Sequence, residues 1–241
     1  MCRLGINIDH VATIRNARGQ FHPDPLKAAM ILKECKVDSI TMHLREDRRH
    51  IKDDDIFLIK NKVDLPINLE IAPTEEMTKI ALKLNPRSVC FVPEKRMEVT
   101  TEGGLNVSTN MKKIEKLSNM LSNSKIKVAC FIEPDFNQIK CLNSLGIRTL
   151  ELHTGSYADS KDNNDKRKKL NLIQQAAKKA TELGFDCHAG HGLNYDNVHD
   201  IASIMEIKEL NIGHFIIGEA IFSGLKNSIS KMKAIINAAR K

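Results

Sequence analysis

The chain of 241 residues has no tryptophan and only two tyrosines, Tyr157 and Tyr195. Proteins that hold single-stranded nucleic acid set aromatic stacking platforms among their cations. The net charge of +7 therefore does not amount to a nucleic-acid surface. Its cationic runs, Lys161 to Lys169 (KDNNDKRKK) and the stretch after Gly224, contain no aromatic residue and read as solvated faces. No apolar stretch approaches the roughly 20 residues that cross a bilayer. The opening Met1-Cys2-Arg3-Leu4-Gly5-Ile6 lacks a charged leader followed by an apolar core. The expectation is a cytoplasmic chain with no membrane partner and no nucleic-acid partner. Cys2, Cys35, Cys90, Cys130, Cys141 and Cys187 are scattered, with no C-x-x-C pair and no zinc-type spacing, so they read as free thiols in a reducing compartment. No G-x-G-x-x-G follows the first strand and no G-x-x-x-x-G-K-[ST] occurs, which leaves nucleotide sites of those two kinds without a signature. No Pro/Gly/Ser-rich linker divides residues 1–241, and one domain is expected.

What is present is an alternation of short apolar runs with longer segments of helical period, the pattern of repeated βα units on a parallel sheet. Strands are predicted at Leu4 to Ile8, Ser39 to His43, Ile67 to Ile71, Ser88 to Val92, Lys127 to Ile132, Thr149 to His153, Phe185 to His188 and Glu209 to Ile217. Helices are predicted at Asp24 to Cys35, Asp53 to Lys62, Thr74 to Leu84, Ser108 to Ser122, Phe136 to Leu145, Asp165 to Leu183, Tyr195 to Ile204 and Ala220 to Ala239. An open doubly wound sheet shows the same alternation, but about eight units in a chain near the usual 250 residues favour an α/β fold closed as a (β/α)₈ TIM barrel with extra helices.

Polar, titratable residues gather where these strands end, and that is the face on which barrel enzymes do their chemistry. The first strand ends in Asn7-Ile8-Asp9-His10, the second in His43-Leu44-Arg45, the third in Asn68-Leu69-Glu70 and the sixth in Glu151-Leu152-His153. The seventh leads into Gly190-His191-Gly192, and the eighth carries Asn211 and Gly213-His214. Alternate strand residues share a face, so Asn7 with Asp9, His43 with Arg45, Asn68 with Glu70, and Glu151 with His153 are expected to point into the lumen together. Carboxylates and imidazoles confined there shift one another and serve as acids and bases near neutrality. Glu70, between Leu69 and Ile71, is expected to rise by burial, unless it is spent in a structural pair with Arg45.

Anion binding is the second theme. Arg15, Arg18, Arg45, Arg48 and Arg49 crowd the first two loops, and guanidinium forks suit phosphate oxygens. Glycines after strands seven and eight let backbone amides approach a phosphate at a recurrent barrel site. Leu44 to Ile51 and Glu98 to Leu105 read as lids.

At these residues the chain resembles the pyridoxine 5'-phosphate synthase family over essentially its whole length. The matching stretches are NIDHVATIRNARG from Asn7, HLREDRRHI from His43, NLE at Asn68, VPEKR and EVTTEGGL from Val92, ELHTG from Glu151, AGHGL from Ala189 and ELNIGH from Glu209. The resemblance implies condensation of 1-deoxy-D-xylulose 5-phosphate with 3-amino-2-oxopropyl phosphate into pyridoxine 5'-phosphate, with release of phosphate and water. It implies that His43 and Glu70 accept protons, His191 donates one and Glu151 steadies charged intermediates. Asn7, Arg18, Gly192, Gly213 and His214 match positions holding the aminooxopropyl phosphate. Asp9, His10, Arg45, His50 and Thr100 match those holding the deoxyxylulose phosphate. It further implies no cofactor, no metal and a homo-octamer. Two departures stand out: His188 replaces a small polar amide, and Glu219 replaces a basic residue. A phosphosugar isomerase or aldolase on the same barrel is the rival enzyme, and it wants a single base or a Schiff-base lysine. A metalloenzyme using His10, His43, His191, His214 and Glu70 is a further alternative.

Overall fold

The computed structural model describes residues 1–94 and 103–241. In chain order the elements are β1 (Arg3–Asn7), α1 (Asp9–Arg18), α2 (Pro25–Glu34), β2 (Ser39–His43), α3 (Asp53–Lys62), β3 (Ile67–Ile71), α4 (Glu75–Leu84), β4 (Ser88–Phe91) and α5 (Val107–Ser122). They continue as β5 (Lys127–Ile132), α6 (Phe136–Ser144), β6 (Thr149–His153), α7 (Gly155–Ala158), α8 (Asn163–Glu182), β7 (Asp186–Gly190), α9 (Val198–Ala202), β8 (Ile207–Ile212), α10 (His214–Ser223) and α11 (Leu225–Ala238). The strands are parallel and close in sequence order, with β1 pairing both β2 and β8.

Strand residues alternate between two environments, as period-two geometry requires. Ile40 and Met42, Leu69 and Ile71, and Leu150 and Leu152 are fully buried between the sheet and the helices, where they join one apolar cluster with helix residues such as Ile59, Ala81 and Ile173. Their neighbours Thr41, His43, Asn68, Thr149, Glu151, Glu209 and Asn211 are buried too, but in the lumen. The lumen is consequently polar over most of its height. Cys90, Val92, Ala129 and Phe131 form a small apolar sector of their own on the β4 and β5 side.

At the base of the lumen, Arg3 Nε donates to Glu209 Oε2 (2.6 Å) and Nη2 donates to both oxygens of Asp186 (3.0 Å each). Ser39 donates to the other Glu209 oxygen (3.1 Å). His188 belongs to this group, its Nε2 lying 3.1 Å from Arg3 and 3.3 Å from Asp186. Above it, Thr41 donates to Asn211 Oδ1 (3.0 Å) and Asn211 Nδ2 donates to Glu151 Oε2 (2.7 Å). These bonds satisfy buried polar groups that would otherwise be costly.

Several elements differ from the sequence-based expectation. The eighth strand stops at Ile212, because Gly213 leaves the extended region (φ −128°, ψ −80°) and the apolar Phe215-Ile216-Ile217 continues as helix α10. Gly224, at φ +81°, then separates α10 from α11. The helix expected over Tyr195 to Ile204 shrinks to α9, since Asn194 and Asn197 cap each other's backbone in a turn. α1 was not anticipated: it starts directly at the barrel mouth behind Ile8, without a side-chain cap to announce it. Capping by Asp24, Thr74, Asn106, Asp135 and Asp162 is present where helices start in loops.

Candidate active site

The C-terminal mouth is assembled from strand ends and the first turns of α1 and α10. Asp9 is its first organiser. Its Oδ1 accepts the backbone N–H of His43 (2.8 Å), and Oδ2 accepts from Asn7 Nδ2 (2.8 Å). Asn7 Oδ1 in turn accepts the N–H of Asp9 (2.8 Å). This ties the ends of β1 and β2 and places His43 on the rim. His43 Nε2 lies 2.8 Å from Glu94 Oε1, with both side chains nearly buried. The second Glu94 oxygen accepts the Glu46 N–H (3.1 Å). Burial works to raise the Glu94 carboxyl, but its bonds to His43 and Glu46 and the charge of Arg45 outweigh that and hold it below the usual range. A carboxylate at Nε2 accepts from the ring N–H and keeps the proton on that nitrogen, so Nδ1 is left as the acceptor nitrogen of His43.

Glu70 stands beside this pair at the end of β3 and has no hydrogen-bond partner among the described residues. Burial, reinforced by the charges of Asp9 and Glu151, pushes its carboxyl well above the ordinary value. Arg45 is turned to Asp47 (Nε to Oδ1, 3.2 Å). Glu151 follows the same logic deeper in the lumen, where burial raises it to about 7 against the pull of His188 and Asn211.

Across the mouth, His153 Nδ1 meets Glu133 Oε1 at 2.8 Å, and the rings of His153 and His191 meet edge to face at 4.9 Å. Burial first, and then the charge of His153, lowers His191 to about 4. His10 and His214 form a second edge-to-face pair at 4.7 Å. His214 opens α10, whose first turn has no side-chain cap, and Gly213 backs onto Asn7. The uncapped amides of that turn, the positive end of the helix and Asn7 together suit an anion. Glu219 lies beyond this first turn.

Asn7, Asp9, His10, His43, His50, Glu70, Glu151, His191, Gly192, Gly213 and His214 are thus carried by the strand ends and loops of this one mouth, with Arg45 buried just beyond β2. His50 accepts the Ile51 N–H on Nδ1 (2.9 Å), which leaves Nε2–H to donate, and its ring lies 5.7 Å from that of His43. Arg18 is different. It ends α1, is exposed and makes no hydrogen bond or ion pair among the described residues. Thr100 lies outside the described residues, as does most of the loop expected over Glu98 to Leu105. The segment Leu44 to Ile51, expected to act as a lid, is braced instead: Arg48 bonds the carbonyls of Arg45 and Glu46 and the Asp53 carboxylate, while Asn16 bonds the carbonyls of Arg49 and His50. Arg15 and Arg48 are engaged in ion pairs with Asp55 and Asp53.

Among the described residues, the group of three or more potential ligands whose donor atoms all lie within 4.8 Å of one another is Asp9, His43 and His50, and not the five-residue set suggested by the sequence. Two residues escaped sequence reasoning. Glu94 and Glu133 are acids placed just past β4 and β5, each bonded to a mouth histidine. The available signal was an acid within three residues of a strand end, the same signal that pointed to Asp9.

The sequence profile described as pyridoxal phosphate biosynthesis protein PdxJ matches residues 4–238. The pyridoxine 5'-phosphate synthase of Zymomonas mobilis is 53% identical over 238 residues, covering 99% of this chain and 93% of that protein. That of Rhodospirillum rubrum is 52% identical over 237 residues, 98% of this chain and 95% of the relative. Among solved structures, KGPDC from Streptococcus mutans superposes with a TM-score of 0.65 at 14% identity, covering both chains fully. Thiamine phosphate pyrophosphorylase from Pyrococcus furiosus gives 0.64 at 11% identity, over 98% of this chain and 96% of that one. These two likenesses concern the barrel alone, but profile and relatives span nearly every residue that builds the mouth, and the chain belongs to the PdxJ family of pyridoxal phosphate biosynthesis proteins.

Proposed function

We propose that this chain is a ring-forming transferase of vitamin B6 biosynthesis, condensing 1-deoxy-D-xylulose 5-phosphate with 3-amino-2-oxopropyl phosphate into pyridoxine 5'-phosphate, with loss of phosphate and water. The observation that carries the reading is the convergence on one mouth of Glu70, whose carboxyl has no hydrogen-bond partner among the described residues, and carboxylate-oriented histidines, beside the uncapped start of α10.

Successive dehydrations need groups that take and give protons within one enclosure. His43, with Nδ1 free and Nε2 on Glu94, is the first acceptor. Glu70 is the second, and its raised proton affinity makes its carboxylate a stronger base than an ordinary one. Glu151, close to half ionised near neutrality, stands where a cationic imine intermediate needs a counter-charge. His191, lowered to about 4 by burial and by its neighbours, is neutral near pH 7. Two phosphate dianions entering the mouth favour its charged form, so the acid is created by the substrates it serves. Asn7, Gly192, Gly213, His214 and Arg18 take the aminooxopropyl phosphate, and Asp9, His10, Arg45, His50 and Thr100 take the deoxyxylulose phosphate. A Schiff-base aldolase is disfavoured by the lumen, since the described strands place lysines only at Lys127 and Lys208, both exposed and near the start of their strands, away from the mouth.

The reading includes a cytoplasmic location and a homo-octamer. The six cysteines are free thiols, and no helix among the described residues is long and apolar enough to cross a membrane. Exposed Phe21, just past α1, and exposed Ile221 and Phe222 at the end of α10 support self-association. The decisive assay mixes both phosphates with purified protein and follows the pyridine chromophore together with free phosphate. Phosphate release without the chromophore would refute the reading.

A further inference from the structure

His153 closes β6 with one ring nitrogen occupied and the other idle. Its Nδ1 is held by Glu133, whose same oxygen accepts the Gly104 N–H (2.8 Å). Its Nε2 is fully buried and has no hydrogen-bond partner, although the side chain is only 8% exposed. A buried polar atom left unpaired is unfavourable and calls for a partner. The His191 ring packs against the same imidazole, with ring centroids 4.9 Å apart. A Cβ on Gly155 would fall 2.4 Å from His153 Nε2 and 2.9 Å from His191 Cδ2, so any side chain at 155 would wedge between the two rings. Phe131 packs on both imidazoles, at 5.1 and 6.4 Å.

The backbone is gripped by the same tripeptide. Thr154 Oγ1 donates to the carbonyls of His191 (2.6 Å) and Gly190 (2.8 Å), and the Thr154 N–H bonds Gly190 O as well (2.9 Å). His191 needs this grip, since its φ of +85° is a conformation that a residue with a side chain adopts only under constraint. Residues 153–155 therefore hold ring, carbonyl and clearance of His191 at once.

We propose that His153, fixed by Glu133, is the positioning residue of His191, and that its unpaired Nε2 is the acceptor orienting the His191 ring N–H when substrates are bound. The proposal rests on the reading of His191 as proton donor. The titratable groups facing His191 are His153 from β6, Glu133 beyond β5, Asp159 beyond α7 and His10 from α1. Glu133 is half-exposed, so the dyad reaches solvent only at its carboxylate end.

The test uses full-length protein labelled with ¹⁵N-histidine. The His191 titration midpoint is read by NMR without substrates, and kcat and KM are measured for both phosphates, in the parent, His153→Gln and Glu133→Gln. In His153→Gln the His191 midpoint moves away from that of the parent, because the ring that faces it from β6 is gone. Its kcat falls by about 10-fold or more, with either KM within about 3-fold of the parent. Glu133→Gln, which keeps an acceptor for Gly104 and for His153 Nδ1–H, moves the midpoint and lowers kcat less. A parent-like midpoint and kcat in both variants overturns the proposal, and if His153→Gln does not fold, the same result in Glu133→Gln alone overturns it. Full activity in His191→Asn would overturn the donor role itself, a failure that the substrate-free titration keeps separate from the positioning contact.

Discussion

Replacing Glu151 by glutamine is expected to stabilise the protein at alkaline pH while impairing it as a catalyst. Glu151 is 3% exposed, and its carboxylate is met by the amide of Asn211 but by no paired cation among the described residues. Burial, opposed by His188, Asn211 and His153, lifts it from an ordinary 4.5 to about 7. In the unfolded chain it ionises near the ordinary value. Between roughly pH 4.5 and pH 7 the folded state thus holds a proton that the unfolded state has released. Stability falls as pH rises through this window, and the loss is complete above it. At about 1.4 kcal/mol per pH unit, the loss levels off at about 3 kcal/mol. Glu151→Gln keeps an acceptor oxygen for Asn211 and cannot ionise, and it also relieves Glu70 of a neighbouring charge, an effect of the same sign. A domain of this size shifts by about 2–4 °C in Tm per kcal/mol, so the variant should melt roughly 6–12 °C above the parent at pH 8. The two curves should converge towards pH 4.5. Scanning calorimetry from pH 5 to pH 8.5 measures the gap directly, with titrations common to both proteins cancelling. Melting curves that run parallel with pH would refute the assignment of a raised carboxyl to Glu151.

Arg18→Ala should raise KM for the aminooxopropyl phosphate by about 10- to 100-fold with Tm unchanged, and Arg45→Ala should do so for the deoxyxylulose phosphate. Equal losses for both substrates in both variants would show that the two sites are not divided in this way. Glu94→Gln, which keeps the acceptor for the Glu46 amide, should lower kcat by about 10-fold or more through loss of the charge that orients His43; an unchanged kcat would leave Glu94 as a structural cap. Prolonged chelation should leave activity intact, because Asp9 and His43 are already engaged with each other, Asn7 and Glu94; loss of turnover restored by zinc or manganese would make Asp9, His43 and His50 a working metal site. Light scattering at micromolar protein should give an oligomer, and a monomer would count against the implied octamer.

The barrel was legible because its strands carry two superimposed signals. Ser39–His43, Ile67–Ile71, Lys127–Ile132 and Thr149–His153 lie where the apolar runs place them, since burial against the helices demands continuous hydrophobic residues on the outer face. The inward face was legible as well, because Thr41, Asn68, Glu70 and Glu151 have no reason to sit in such runs unless the lumen is polar. The limits came where one residue type serves two structures. Phe215, Ile216 and Ile217 extend an apolar strand as plausibly as they start a buried helix, and only the backbone turn at Gly213 separates the two. α1 was missed because the mouth itself forms its first turn.

Partnership was the part that spacing could not supply. Glu94 is separated from His43 by 51 residues and Glu133 from His153 by 20, and which acid meets which imidazole depends on the order in which the strands close. Barrel closure sets that order. Placing β4 two strands from β2 brings Glu94 back over the mouth to His43, whereas β5 and β6 are neighbours and Glu133 reaches His153 directly. The two dyads therefore arise from different distances around one ring of strands, and they leave different nitrogens free: Nδ1 on His43 and Nε2 on His153. A free Nδ1 on the rim, beside the raised carboxyl of Glu70, is available to a substrate. An Nε2 buried beside the His191 ring, with no partner among the described residues, is placed to serve another side chain. The same acid–imidazole chemistry thus becomes a base at one side of the mouth and a support at the other, and the difference is made by the fold and not by residue type.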